Sequence, residues 1–331
     1  MLIFILSIFA QKSITVMFKK NSMQIKRAIR VVLATIYNII YSCILCFVTK
    51  PRYKKKYNYV ICAIFKDEAP FLKEWIEYHL MLGFEHIYMY NNKSSDRYND
   101  ILNPYIVENK VTLIDWPYDQ SQILAYQNYY EIYRNEAQWV SFLDIDEFFC
   151  PKYKNSIGEW LKEYERYPVV LIYWKMFGSS GRMKHDYQNL VIEQYNVSWD
   201  YLYHVGKCLI NTDYDIVKYD ASTHHAPMVY FFIGKFRFKI PPINVFKKFI
   251  MLDIHFTPKR ECQKATMQIN HYWSKAWDIF DAKRRRTDVF FKDNPKKNLD
   301  YYYYHEHKNR VSDYQIYRFL IQLKLRLKLY E

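Results

Sequence analysis

The stretch Tyr59–Tyr90, YVICAIFKDEAPFLKEWIEYHLMLGFEHIYMY, decides the fold class. Its first seven residues form a short apolar run rich in β-branched side chains, the pattern of a buried strand. KDEAP follows as a loop. The next segment carries Leu72, Trp75, Ile76, His79 and Leu80 at helical spacing, and Gly83 stops it. HIYMY then reads as a second strand. Strand, helix and strand in succession make a crossover unit, which needs a parallel sheet.

The same alternation continues downstream. A short helix around Tyr98–Leu102 precedes the strand VTLIDW, and Ser121–Glu136 has helical character. WVSFLDI is a fourth strand; a helix near Ile157–Tyr164 and the strand VVLIYWKMF follow. Beyond residue 180 the pattern weakens: HDYQNLVIEQYNV and VGKCLINTDYD suggest strands and loops, while Ala276–Asp288 and Tyr314–Tyr330 look helical. The expected architecture is α/β, a mostly parallel sheet flanked by helices, with a membrane-associated helix at the N-terminus. Three segments are expected: a basic and apolar N-terminal segment at 1–57, the α/β domain at 58–290, and a basic helical extension at 291–331.

Charge is unevenly placed. The net charge is +14, yet residues 1–56 contain no Asp or Glu and eleven Lys or Arg, leaving 37 basic against 34 acidic residues elsewhere. The excess therefore suits anionic lipid headgroups at the N-terminus rather than a nucleic-acid face on the main domain. Val31–Val48 has 18 residues without a charge. As a helix it would reach about 27 Å, near the ~30 Å hydrocarbon core. Thr35, Asn38 and Ser42 interrupt it, so it either spans the bilayer or lies in the interface. Basic residues flank both sides, which leaves orientation open; a cytosolic donor pool favours a catalytic domain on the cytoplasmic face. Met1–Ala10 is apolar but lacks a basic n-region and a small-x-small cleavage site, so no cleaved signal is expected, and Met17 or Met23 is an alternative start. Cys43 and Cys46 form a lone C-x-x-C in the apolar run, a poor zinc site, and no disulfide framework is suggested. With 6 glycines in the chain, neither a glycine-rich dinucleotide fingerprint nor a P-loop is present.

In parallel sheets the ligand site lies beyond the carboxyl ends of the strands. After the successive strands come Lys66, Asp67 and Glu68; Asn91, Asn92 and Asp96; Asp115; and then Asp144, Asp146 and Glu147. Acidic and polar groups thus converge on one rim. The last set lies in SFLDIDEFFC, Ser141–Cys150, among apolar residues. Carboxylates there are costly unless something positive meets them. Asp-x-Asp at a strand end is a hard-oxygen site suited to Mn²⁺ or Mg²⁺ bridging a diphosphate, and alternation along an extended strand would put residues 144 and 146 on one side.

AIFKDEAPFLKEWIEYHLMLGFEHIYMYNNKSSD followed by WVSFLDIDEFF resembles the nucleotide-sugar glycosyltransferases of the GT-A fold, and more narrowly glycosyltransferase family 92 and related family 2-like enzymes. Asp67 and Asn91 depart from the usual residues; DIDEF matches fully. WKMFGSSG (Trp174–Gly181) and INHYWSKAWDIF (Ile269–Phe280) extend the likeness, which covers about residues 58–290. The glycine usual after the K-x-x-R element near Lys283 and Arg286 is absent. The resemblance implies that Asp144 faces the donor ribose or sugar and Asp146 ligates Mn²⁺ or Mg²⁺. It places Glu68 and Asp96 by the nucleoside, and Gln122, Tyr126 and Asn128 on the donor side. A histidine often completes such metal sites; His225 and His271 are the candidates. An inverting reaction needs a carboxylate base, for which Glu147 and Glu193 are candidates. Trp174, Trp199, Tyr203 and Trp273 could stack on sugar rings or be core. The implied activity is transfer of a sugar, galactose being the one the resemblance suggests, from a nucleoside-diphosphate donor such as a UDP-sugar to a glycan or lipid-linked hydroxyl. A metal-dependent nucleotidyltransferase, or a non-catalytic membrane-tethered binding protein, are the alternatives.

Overall fold

The computed structural model describes residues 32–33, 35–46, 54–233, 235–250, 263–286, 288–290 and 298–329. Met1–Ala10, most of the N-terminal basic residues and both ends of the Val31–Val48 run lie outside them.

The strand–helix–strand reading of Tyr59–Tyr90 holds. β1 (Tyr57–Phe65) leads into α1 (Ala69–Met81), which returns to β2 (His86–Asn91). Leu72, Trp75, Ile76 and His79 are fully buried, so the helical spacing marks the face that covers the sheet. Gly83 adopts φ +103°, a conformation that favours glycine, where α1 ends. α2 (Tyr98–Val107) is longer than the sequence suggested and carries Pro104 inside it; β3 (Val111–Asp115), α3 (Gln122–Tyr133) and β4 (Ala137–Phe142) follow. β1 pairs in parallel with both β2 and β4, and β2 with β3. This part of the sheet therefore has the order β3-β2-β1-β4 with every carboxyl end on one rim.

Beyond β4 the sheet becomes mixed. β5 (Glu147–Pro151) was not anticipated; it follows β4 after a tight turn. Further strands are β6 (Val169–Met176), β7 (Gly206–Asn211), β8 (Ile243–Asn244) and β9 (Met267–His271), giving nine strands in the order β3-β2-β1-β4-β7-β6-β9-β5, with β8 alongside β6. β7 runs antiparallel to β4 and β6, while β9 is parallel to β6 and antiparallel to β5. The mostly parallel sheet flanked by helices is the architecture that the GT-A resemblance implied.

Two readings change. LVIEQ was expected to be strand-like, but Val191–Gln194 is a short helical turn, with its first N–H groups bound by the buried Glu74 carboxylate at 2.7 and 3.1 Å. The end of the chain is no separate extension. Tyr302, Ile316, Phe319, Leu320, Leu323 and Leu327 belong to the same core, and Arg326 pairs with Glu77 of α1 at 2.8 Å.

The N-terminal run is also corrected. Among the described residues no helix is long and apolar enough to cross a membrane. Residues 35–46 are helical and dock on the domain along one face. Asn38 accepts from the Phe249 N–H at 2.9 Å, the Tyr41 ring meets Phe249 at 5.3 Å, and Leu45 is buried. The polar Asn38, an obstacle to a spanning helix, is thus a docking group. Phe249 also contacts Tyr167, two residues before β6, which puts this helix at the amino-terminal edge of the sheet, opposite the rim. The cysteines described are all free thiols, with Cys62, Cys150 and Cys208 buried.

Candidate active site

A cavity of about 370 Å³ opens at the carboxyl ends of β1 and β4, and Lys66, Glu68, Gln122, Asp144 and Asp146 line it. Residues 144–147 are a turn, not the extended strand the alternation argument assumed. Glu147 N–H donates to the Asp144 carbonyl at 3.1 Å, and the Glu147 carboxylate accepts from Asp144 N–H at 3.1 Å. Tyr272 N–H holds the Asp146 carbonyl at 2.8 Å and Trp75 Nε1 holds that of Glu147 at 2.9 Å. The turn is fixed from three directions, and both aspartates still reach the cavity.

The positive partners are Lys207 and Lys283. Lys207 Nζ lies 2.8 Å from Asp144 Oδ2 and 3.7 Å from Glu147 Oε2, and is fully buried. Its position follows from register. Ser141 pairs with Leu209, so the antiparallel run two steps on brings Lys207 beside Leu143 and Asp144. Gly206 lets β7 lie close against β6 on its other side, because a Cβ there would lie 1.8 Å from the Ile172 carbonyl oxygen. Lys283 Nζ pairs with Asp146 Oδ2 at 2.7 Å, while His271 Nε2 faces Asp146 Oδ1 at 3.5 Å. Pairing of His271 with Glu147 across β9 and β5 sets the histidine next to Asp146. Arg286 binds Glu68 and donates to the Asp67 carbonyl at 2.6 Å.

These contacts separate the carboxylates electrostatically. Burial would raise Asp144, but Lys207 outweighs it and holds the carboxyl below its ordinary range. Burial would likewise raise Asp146, but Lys283 and then His271 hold it well below that range. For Glu147 burial dominates: the group is pushed well above the ordinary value, Lys207 notwithstanding. The surroundings thus favour the charged form of the two aspartates and work against that of Glu147.

The other sequence candidates fall into two groups. Glu68, Gln122, His225 and His271 line the cavity with the aspartates. Gln122 Nε2 donates to Asp144 Oδ1 at 3.1 Å, and His225 Nδ1 sits 2.7 Å from the Gly206 carbonyl. Tyr126 is buried behind, stacked on Phe142 at 4.4 Å with its hydroxyl 3.5 Å from Asp144. Asn128 is away from the cavity and accepts from Tyr90 at 2.9 Å; Asp96 spends Oδ2 on the Ala69 N–H that opens α1, at 2.8 Å. Glu147 has no exposed surface and lies beneath the turn. Glu193 is remote, paired with Lys324 at 2.7 Å. Neither base candidate faces the cavity.

The sequence reading missed Lys207 altogether and left Lys283 and Arg286 without partners. A lysine directly after glycine at the head of an apolar strand, GKCLIN, was the available signal for Lys207. Among the described residues no group of three or more His, Cys, Asp or Glu side chains is arranged to hold a metal ion. The donor chemistry nonetheless suits a hard divalent ion, with Asp146 and His271 on one side and room for phosphate oxygens on the other.

The chain matches the profile of glycosyltransferase family 92 over residues 57–315. It is 31% identical over 143 residues to a family 92 protein of Oryza sativa subsp. japonica, covering 40% of this chain and 24% of that one. A galactan beta-1,4-galactosyltransferase of Arabidopsis thaliana is 27% identical over 134 residues, 37% of this chain and 26% of that one. The matches thus span about a quarter of the length of these curated relatives. A crystal structure of S. aureus TarS aligns with a TM-score of 0.31 at 12% identity over 47% of each chain, too slight a likeness to carry argument. The profile match takes in most of the chain, including the acidic turn and both of its lysine partners, and the chain belongs to glycosyltransferase family 92.

Proposed function

We propose that the protein transfers a sugar from a nucleoside-diphosphate donor, a UDP-sugar in the first instance, to a hydroxyl of a glycan or lipid-linked acceptor, with Mn²⁺ or Mg²⁺. One observation carries this reading: a cavity at the strand ends sets two aspartates against Lys66, Lys283, Arg284 and Arg286. Carboxylates suit a divalent ion and the cations suit a diphosphate. Its size falls within the ~300–1,000 Å³ typical of small-molecule sites. Asp146 and His271 would hold the ion. When bound, it would offset charge on the departing diphosphate. Lys283, whose side chain is 39% exposed, can turn from Asp146 to a phosphate.

In the reaction the acceptor oxygen bonds to the anomeric carbon and the bond from that carbon to the diphosphate breaks. The electron pair leaves on the diphosphate, and the hydroxyl proton passes to a group on the cavity wall. The test incubates the full chain with a panel of UDP- and GDP-sugars, with and without Mn²⁺. Metal-dependent release of a nucleoside diphosphate from one donor is expected. Sugar 1-phosphate in its place would mean nucleotidyl transfer, and absence of both release and UDP binding would refute the reading.

The N-terminal helix supports a second proposal, that it lies in the plane of an anionic lipid surface. Val32, Leu33, Ile36, Ile39 and Ile40 are exposed on it, within a basic segment. Vesicles containing phosphatidylglycerol are expected to sediment the full chain in low salt and vesicles of phosphatidylcholine alone are not; equal binding to both, or to neither, sinks this proposal.

A further inference from the structure

We propose that a second, smaller cavity beside the donor pocket is the acceptor subsite, and that it takes an uncharged sugar ring. The inference deepens the transferase reading and rests on it. This cavity measures about 200 Å³ and shares Trp174, His225, His271 and Trp273 with the larger one. Its remaining wall is Met176, Tyr203, Val205 and Tyr301.

Three features assign it. The first is a pair of unmet donors. Trp174 Nε1 and Trp273 Nε1 are buried and have no hydrogen-bond partner, in side chains 6% and 9% exposed. Buried indole N–H groups normally find an acceptor. The buried Trp75, Trp160 and Trp199 do, at 2.9, 2.9 and 3.2 Å. Both side chains line the smaller cavity, so a ligand oxygen that reaches either N–H meets an unspent donor, and sugar hydroxyls supply such oxygens.

The second feature is charge. The donor pocket is crowded with Lys66, Lys283, Arg284 and Arg286, whereas the private wall of the smaller cavity carries no Lys, Arg, Asp or Glu. A uronate or phosphosugar would lose its water there and find no Lys or Arg on that wall to pair with. A neutral ring presents C–H faces to the aromatic and aliphatic walls and hydroxyls to the indoles.

The third feature is position. The shared wall includes His271, whose Nε2 is 3.5 Å from Asp146 Oδ1, so the smaller cavity opens beside the acidic turn. At about 200 Å³ it is below the ~300 Å³ of drug-sized sites, which fits one ring rather than an oligosaccharide.

The experiment is saturation-transfer NMR on the full chain. Probes are methyl β-galactopyranoside, methyl β-glucopyranoside, methyl β-xylopyranoside and methyl β-galacturonide, with a parallel UDP titration. At least one neutral glycoside is expected to bind, and the galacturonide at least tenfold more weakly. Trp273→Phe, which keeps a ring but removes the donor, is expected to weaken that glycoside about tenfold, the scale of one hydrogen bond. Val205→Phe, which fills the cavity, is expected to abolish glycoside binding, with UDP affinity as the control for an intact donor site. If Val205→Phe does not fold, Tyr203→Ala takes its place with an expected loss of about tenfold. UDP binding with no neutral glycoside bound overturns the subsite and leaves the donor reading standing. Equal binding of the galacturonide overturns the uncharged-ring assignment. Glycoside binding that Val205→Phe abolishes, with no UDP bound, keeps the sugar site and removes the donor reading.

Discussion

Asp146→Asn is expected to lower sugar transfer about a thousandfold while leaving the protein folded. Asp146 is held well below the ordinary carboxylate range and faces Lys283 at 2.7 Å and His271 at 3.5 Å. Asparagine keeps the shape and removes the charge. The divalent ion proposed for this site would lose its anionic ligand, and Lys283 would lose its ion-pair partner. Losses of 10²–10³ follow removal of a single preorganised polar group from a reacting centre, and a charged group that also binds metal belongs at the top of that range or above it. Stability should change little, since Lys283 is partly exposed and can hydrate. Nucleoside-diphosphate release and calorimetric titration with Mn²⁺ measure both effects. Wild-type turnover or wild-type Mn²⁺ affinity in this variant would remove Asp146 from the site. Glu193→Gln is the matched control: its carboxylate pairs with Lys324 away from the cavity, so turnover should stay within about twofold.

Lys207→Met is expected to be the most destabilising single change at the site, by about 3–5 kcal/mol, because removing one member of a buried charge cluster leaves the others uncompensated. Lys207 and Glu147 have no exposed side-chain surface, and Asp144 depends on the same ammonium. Denaturant unfolding measures the loss. A pH series adds a sign. Glu147 already has a raised pKa in the folded state. A carboxyl so raised binds its proton more tightly folded than unfolded, so its contribution to stability is full below the unfolded value and falls as pH climbs toward the folded one. Without Lys207 the folded-state value rises further. The variant should therefore lose stability more steeply than wild type as pH rises above the carboxylate range. Glu147→Gln in the Lys207→Met background should recover part of the loss. A variant as stable as wild type at neutral pH would show that the cluster does not hold the turn.

Much of the site was legible because it lies at strand ends. Glu68, Asp144 and Asp146 were picked out by their place after β1 and β4, and all three line the cavity. The same rule overreached at the outer strands. Asn92 there is occupied with the loop, donating to the Trp116 and Tyr118 carbonyls at 2.9 and 2.6 Å. Asp96 caps α1 instead of facing the cavity. Strand-end position says which rim a residue belongs to, but not which groups its carboxylate will meet. Glu193 failed for another reason: LVIE has the composition of a strand, and the buried Glu74 carboxylate turns that segment into a helical turn by binding its N–H groups.

The sequence by itself determined the alternation of β1 to β4 with α1 to α3, hence the parallel sheet and the rim, since periodicities of 2 and 3.6 are local properties. It also determined that three carboxylates would sit in an apolar setting and need positive partners. Only the tertiary structure decided what those partners are. Lys207 is 63 residues from Asp144 and Lys283 is 137 from Asp146. Sheet register and the return of the C-terminal helices bring them together. Whether Trp174 and Trp273 were core or site was undecided for the same reason. An indole reads as apolar in any local pattern, and only the three-dimensional packing shows that its N–H is left without an acceptor in a side chain that lines a cavity.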